Sequence, residues 1–204
     1  IKPTGFKHTG LFPEQAANWS WMMDKISKAN RPIKVLNLFA YTGGATCAAS
    51  YAGAEEVCHV DASKGMVAWA KENAELSGLS NNKIRYIVDD CFKFVQREIR
   101  RGNKYDAVIM DPPSYGRGPN GEIWKFEEEL TKLLKLTAEV LSDEPLFLLL
   151  NSYTTGLSPT AIENMLKLII VKDKQGSVSS GEIGLPVKRE DLILPCGIYG
   201  RWEK

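Results

Sequence analysis

The sequence predicts an α/β fold: a Rossmann-like, doubly wound, mostly parallel sheet of seven strands with an antiparallel C-terminal hairpin. Two observations predict it. Short apolar runs alternate with amphipathic stretches of helical period, strand then helix, five times along the chain. Beyond the last helix, Gly176 to Lys204 loses that period and reads as two strands joined by a long turn. Strands separated by helices pair in parallel with helices on both faces. Strands that follow one another directly pair antiparallel.

Pro13 to Ala29 is the first helix: Pro13 suits a first turn, and Trp19, Met22, Met23 and Ile26 share one face. Lys34 to Phe39 is a buried strand, followed by a Gly-containing turn and an Ala-rich helix to about Ala52. Val57 to Asp61 is the second strand, and Ser63 opens a helix through Leu76 that Gly78 closes. Ile84 to Val88 is the third strand, and Phe92 to Arg101 the helix after it. Tyr105 to Asp111 is the fourth strand, running into Pro112 and Pro113. A Gly-rich loop, Tyr115 to Gly121, then leads to a helix over Phe126 to Leu141. Leu146 to Leu150 is the fifth strand, and Pro159 to Ile170 the last helix.

The 204 residues fit one domain, and 44% hydrophobic with 25% charged content excludes a disordered chain. No apolar run reaches the roughly 18 residues of a membrane-spanning helix. Twenty-six basic against 25 acidic residues leave a net charge of +1, which argues against nucleic-acid binding by bulk charge but not against a local basic patch. Cys47, Cys58, Cys91 and Cys196 lie far apart with no Cys-x-x-Cys pair, so neither a zinc site nor a disulfide framework is expected. Three of them read as core residues in a reduced cytosol. The sequence starts at Ile1 without a secretory pattern, and we read it as the C-terminal part of a longer cytoplasmic protein.

In doubly wound sheets ligands bind beyond the carboxyl ends of the strands, where strand order reverses. After the first strand comes Asn37-Leu38-Phe39-Ala40-Tyr41-Thr42-Gly43-Gly44-Ala45-Thr46. Gly43 and Gly44 permit a tight turn and a close backbone approach, or serve only to join strand to helix. The three spaced glycines of a dinucleotide fingerprint are absent. The second strand ends in Asp61, roughly 20 residues past that turn, the spacing at which an acid meets ribose hydroxyls; capping the helix near Ser63 is the alternative. The third is followed by Asp89-Asp90-Cys91. One acid suits a helix cap and the other the crevice, where an amino group can donate to it; register favours Asp90 for the crevice. The fourth ends in Asp111-Pro112-Pro113-Ser114-Tyr115-Gly116. Two prolines remove two backbone donors as the chain leaves the core, leaving the preceding carbonyls and the Asp111 carboxylate as acceptors. Tyr115 offers a flat face to a planar substrate.

Together, Asn37 to Thr46, Asp61, Asp90 and Asp111-Pro112-Pro113 resemble class I S-adenosylmethionine-dependent methyltransferases. More narrowly they resemble the bacterial group that methylates cytosine C5 or guanine N7 in 23S ribosomal RNA. The likeness runs from about Phe12 to the end of the chain. It implies S-adenosyl-L-methionine as cofactor, with Tyr41, Thr42 and Gly43 at its methionine part, Asp61 on the ribose and Asp90 at the adenine amine. Asp111 and Pro112 would sit beside the methyl group. Asn37, Phe39, Ser63 and Cys91 complete the implied cofactor set. Gln15, in Phe12-Pro13-Glu14-Gln15, belongs to a lead-in (1–30) expected to close over the cofactor, with 31–204 as the methyltransferase domain.

Methylation of a pyrimidine C5 needs a cysteine that adds to the ring. Relatives with that chemistry carry it just after the fifth strand, where this sequence has Asn151-Ser152-Tyr153-Thr154-Thr155-Gly156. A nitrogen acceptor needs no covalent step. The expected reaction is therefore transfer to a base nitrogen of ribosomal or other RNA, with Asp111, Pro112 and Pro113 orienting the amine and Tyr115 stacking the base. A small-molecule or protein substrate and a non-catalytic cofactor module are the alternatives. A nicotinamide oxidoreductase is opposed by the missing glycines and by Asp111-Pro112-Pro113. No metal or membrane is expected. Arg117 and Lys125 flank the loop at the crevice rim, placed for a phosphate. Arg97, Arg100, Arg101 and Lys104 read as a solvated helix end, His59 as core, and His8 as an exposed loop residue.

Overall fold

The computed structural model describes residues 9–117, 123–189 and 191–204. A 3-10 turn (Pro13–Gln15) leads into α1 (Ala16–Lys28), then β1 (Lys34–Leu38), α2 (Gly44–Tyr51), β2 (Glu56–Asp61) and α3 (Lys64–Leu76). Next come β3 (Ile84–Val88), α4 (Cys91–Arg101), β4 (Ala107–Met110) and a hairpin of β5 (Tyr115–Arg117) with β6 (Ile123–Lys125). After α5 (Phe126–Val140), β7 (Phe147–Ser152) and α6 (Pro159–Leu166), the chain ends in β8 (Ser177–Pro186) and β9 (Ile193–Glu203).

Seven strands form one sheet in the order β3-β2-β1-β4-β7-β9-β8, and β5–β6 form a small second sheet. Strands β3, β2, β1, β4 and β7 run parallel, while β9 runs antiparallel to both β7 and β8. The order reverses between β1 and β4, so the chain leaves β1 for one side and β4 for the other, opening a crevice at their carboxyl ends.

Two hydrophobic layers follow from the period of two along each strand. Leu36, Leu38, Val108, Met110, Leu148 and Leu150 pack with α4, α5 and α6 on one face. Val35, Ala107, Ile109, Phe147 and Leu149 pack with Met22 and Ile26 of α1 and Ala49 of α2 on the other. The same alternation sends Asn37, Asp111 and Asn151 to the α1 face at the crevice end of the sheet.

Side-chain caps set three helix starts: Ser63 Oγ accepts from Met66 N, Asp90 Oδ1 from Lys93 N, and Ser158 Oγ from Ala161 N. The structure differs from the sequence reading in three places. Pro13 begins a 3-10 turn, so the first helix proper starts at Ala16. The last helix continues through a π-helical segment (Lys167–Val171) to Lys174. The segment expected as a Gly-rich loop holds paired strands, with Tyr115 opposite Lys125 and Arg117 opposite Ile123; residues 118–122 lie outside the described residues. Trp124 anchors that hairpin: its Nε1 donates to Pro113 O at 2.6 Å and its ring lies 5.0 Å from Phe39.

Candidate active site

The crevice begins where β1 ends. Phe39 and Tyr41 adopt positive φ (54° and 50°), as does Gly43 (85°). Left-handed geometry at a residue with a Cβ costs roughly 1–2 kcal/mol, so two such residues in one loop need strong support. Backbone amides supply it. Phe39 N donates to Cys91 Sγ (3.3 Å), Ala40 N to Val60 O (3.1 Å), Tyr41 N to Asp61 Oδ2 (2.9 Å) and Gly43 N to Ala40 O (3.0 Å). Above the loop, Thr42 Oγ1 donates to Gly10 O at 2.6 Å, tying it to the lead-in.

Asp61 supports the loop from the end of β2 and is not itself among the crevice-lining residues. Its Oδ2 holds Tyr41 N and its Oδ1 accepts from Ser63 N at 2.8 Å. Burial raises its pKa and those two amides oppose the rise. Each carboxylate oxygen keeps a lone pair for a ligand. Ser63 therefore serves through its backbone, while its hydroxyl caps α3.

The acids after β3 divide differently from the expectation that one caps the helix while Asp90 faces the crevice. Asp90 is itself the α4 cap, its Oδ2 has no hydrogen-bond partner among the described residues, and Asp89 is ion-paired with Arg97. Cys91 places its sulfur in the core beneath the loop, where burial pushes the thiol up, so its side chain does not line the crevice. Asn37 does line the crevice, with Nδ2 engaged by Thr46 Oγ1 (3.0 Å), which in turn meets His59 Nδ1 (2.9 Å). His59 is fully buried, and burial pushes it down to about 4, so the ring is neutral. Its Nε2 has no partner among the described residues.

Asp111 follows β4 and lines the crevice with Gln15, Trp19, Phe39, Tyr41 and Asn151. Burial, and secondarily the Glu14 carboxylate, pushes its carboxyl up to about 7. The rest of Asp111-Pro112-Pro113 is less open than the sequence implied. Pro112 is buried, and the Pro113 carbonyl accepts from Trp124 rather than facing the crevice. Tyr115 stands 53% exposed on the β5–β6 hairpin and is not among the crevice-lining residues.

Sequence reasoning missed a polar network across the α1 face. Asn18 Nδ2 donates to Gln15 Oε1 (2.9 Å) and Asn151 Oδ1 (2.8 Å), and Arg201 donates to Asn18 Oδ1. Gln15 Nε2 donates to Tyr153 OH (2.7 Å), whose proton goes to Glu14 Oε1 (3.0 Å). One signal was available: Asn18, Met22 and Ile26 recur at helical spacing, placing an amide on the buried stripe.

The basic residues are largely engaged: Arg97 with Asp89, Arg101 with Glu98, Lys104 with the Glu139 carbonyl and Lys125 with Glu128. His8 lies outside the described residues. Among the described residues, no three or more His, Cys, Asp or Glu side chains converge as a metal set would, and no helix is long and apolar enough to cross a membrane.

The chain is similar to the ribosomal RNA large subunit methyltransferase K/L of Shewanella frigidimarina, 34% identical over 140 residues, 68% of this chain and 19% of that one. It is 36% identical over 107 residues to the ribosomal RNA large subunit methyltransferase I of Aeromonas salmonicida, 52% of this chain and 26% of that one. The chain thus spans a fifth to a quarter of these curated relatives. The crystal structure of the SAM-dependent methyltransferase from Agrobacterium tumefaciens superimposes with a TM-score of 0.93 at 42% identity, covering 98% of this chain and 65% of that one. Residues 4–165 match the family described as S-adenosylmethionine-dependent methyltransferase, and the chain belongs to that family.

Proposed function

We propose that this chain transfers the methyl group of S-adenosylmethionine to a nitrogen on an RNA base, with large-subunit ribosomal RNA as the substrate. Asp111 carries the nitrogen reading: a carboxyl pushed up to about 7 at the switch point, in a crevice with no cysteine among its described lining residues. The RNA substrate rests on the names of the curated relatives.

The residues fit the cofactor. Asp61 keeps one lone pair on each oxygen, which suits a ribose diol, and Asp90 Oδ2 suits the adenine amine. The strained Tyr41–Gly43 backbone receives the methionine end. We read the lead-in of 1–30, of which 1–8 lie outside the described residues, as the segment that closes over it: Phe12 packs at 5.7 Å from Tyr41 and 5.5 Å from Tyr153.

S-adenosylmethionine, when bound, supplies a sulfonium-activated methyl group open to direct displacement. The chain supplies placement. Asp111 accepts a hydrogen bond from the acceptor amine, aims its lone pair, and takes the proton the nitrogen sheds as the new N–C bond forms.

The test is incubation with labelled S-adenosylmethionine and unmodified transcripts of large- and small-subunit ribosomal RNA, followed by mass spectrometry of the nucleosides. Label is expected on a base nitrogen of the large-subunit transcript, falling by about 100-fold or more in Asp111→Ala. A C5-methylated pyrimidine, or no label in the large-subunit transcript, refutes the proposal.

A further inference from the structure

We propose that Asn151 is a recognition residue for the acceptor base, presenting its side-chain NH2 to the crevice beside Asp111. Arg201, which does not line the crevice, is the positioning residue that fixes which way that amide faces. The inference rests on the methyltransferase reading above and adds to it the edge of the base that is read.

Hydrogen-bond logic fixes the amide orientations, because arginine has donors and no acceptor. Arg201 Nε (3.0 Å) and Nη2 (2.6 Å) both point at Asn18, so the oxygen of Asn18 faces Arg201. Its Nδ2 must then face away, and its two hydrogens meet two acceptors, Gln15 Oε1 and Asn151 Oδ1. Asn18 is fully buried, and a flip would set Nδ2 against the guanidinium. With Oδ1 held by Asn18, Asn151 turns Nδ2 elsewhere. That group has no hydrogen-bond partner among the described residues, although Asn151 is only 3% exposed and lines the crevice. It is not among the fully buried unpaired side-chain atoms of the described residues, so it is open to a ligand acceptor from the crevice.

Arg201 is held as firmly as the group it directs. Its guanidinium lies 4.2 Å from the Tyr199 ring and 4.9 Å from the Trp21 ring, and Nη2 also donates to Ala17 O at 3.2 Å. It sits opposite Leu149 on β9, two residues before Asn151 along β7.

Asp111 and Asn151 follow the paired residues Met110 and Leu150, so they stand side by side on the α1 face. A carboxylate that accepts beside an amide that donates matches a base edge on which an N–H donor stands next to an acceptor. Adenine, cytosine and guanine offer it through an exocyclic amine and uracil through N3–H beside a carbonyl, whereas a ribose phosphate without a base offers none. A site built to pair such an edge rejects ligands that lack it, because its own polar groups would go unpaired.

The test uses the full chain, 15N-labelled and saturated with S-adenosylhomocysteine, titrated separately with AMP, CMP, GMP, UMP and ribose 5-phosphate. The Asn151 side-chain NH2 signal, assigned by its loss in Asn151→Ala, is expected to shift with at least one nucleotide and not with ribose 5-phosphate. In Arg201→Met that response is expected to disappear while S-adenosylhomocysteine still binds within about threefold, an outcome that a merely structural role for Arg201 would not produce. Asn151→Ala is expected to lower methyl transfer to the large-subunit transcript by about 10- to 100-fold. No shift with any nucleotide, an equal shift with ribose 5-phosphate, or full transfer by Asn151→Ala overturns the proposal. Should Arg201→Met fail to fold, the wild-type titration and Asn151→Ala decide alone. Failure of the wild-type chain to methylate RNA refutes instead the reading on which the proposal rests.

Discussion

Replacing Asp111 by asparagine should make the protein more stable at neutral pH while abolishing transfer. The carboxyl is pushed from an ordinary 3.8 up to about 7, first by burial and then by Glu14. Its folded-state pKa lies above the unfolded value, so between those limits the folded chain binds more protons. Stability is therefore lost as pH rises from about 4 to 7, and the full penalty persists above 7. A shift of about three units at 1.36 kcal/mol each gives about 4 kcal/mol, and access to water through the crevice lowers this to about 2–4 kcal/mol. Asparagine keeps the shape and never ionises. The assay is urea denaturation of both proteins from pH 4 to 8. The variant's advantage should be small at pH 4, grow through pH 7 and then level off. At pH 8 its melting temperature should be higher by roughly 4–16 °C. A difference that does not vary with pH, or a less stable variant at pH 8, would show that the Asp111 carboxyl is not held in a disfavoured state.

His59 should act in the opposite pH direction. Burial pushes its folded-state pKa from 6.5 to about 4, so the unfolded chain takes up a proton first, and stability falls as pH drops from about 6.5 to 4. The stability of His59→Phe relative to the wild type should improve by about 3 kcal/mol across that window, measured by urea unfolding at pH 7 and pH 4; a constant offset would contradict the buried, neutral ring. Gly43→Ala should cost about 2–3 kcal/mol, because a Cβ there meets Ala70 Cβ at 2.9 Å in addition to the strain of φ 85°. Gly53→Ala has φ 93° but open space, and should cost about 1 kcal/mol. Equal losses in the two melting temperatures would remove the packing part of that account.

Much of the fold was legible because its determinants are local. Apolar runs bounded by turns gave the strands, Ser63 and Gly78 bracketed a helix, and the absence of helical period after Gly176 gave the closing strands. The crevice was legible for a related reason: in a doubly wound sheet ligands bind where the strands end, so the Gly43-Gly44 turn, Asp61 and Asp111 were singled out by their places in the chain and Tyr41 by the family resemblance. The β5–β6 pairing was not, because its strands are three residues each and the sequence between them reads as loop.

The sequence by itself determined the order of elements, the Gly-containing turn after β1 and the acids at the strand ends, since periodicity and glycine's backbone freedom act over a few residues. Only the tertiary structure decided what those groups touch. Asp90 became a cap, Cys91 turned inward and Tyr115 moved to the rim, because side-chain partners depend on register and packing. The polar network is the clearest case. Asn18 lies 133 positions from Asn151 and 183 from Arg201, and no local pattern reports that one buried amide will accept from Arg201 and donate to Asn151. That contact exists because β9 pairs with β7 and α1 packs across both, which is a property of the assembled sheet.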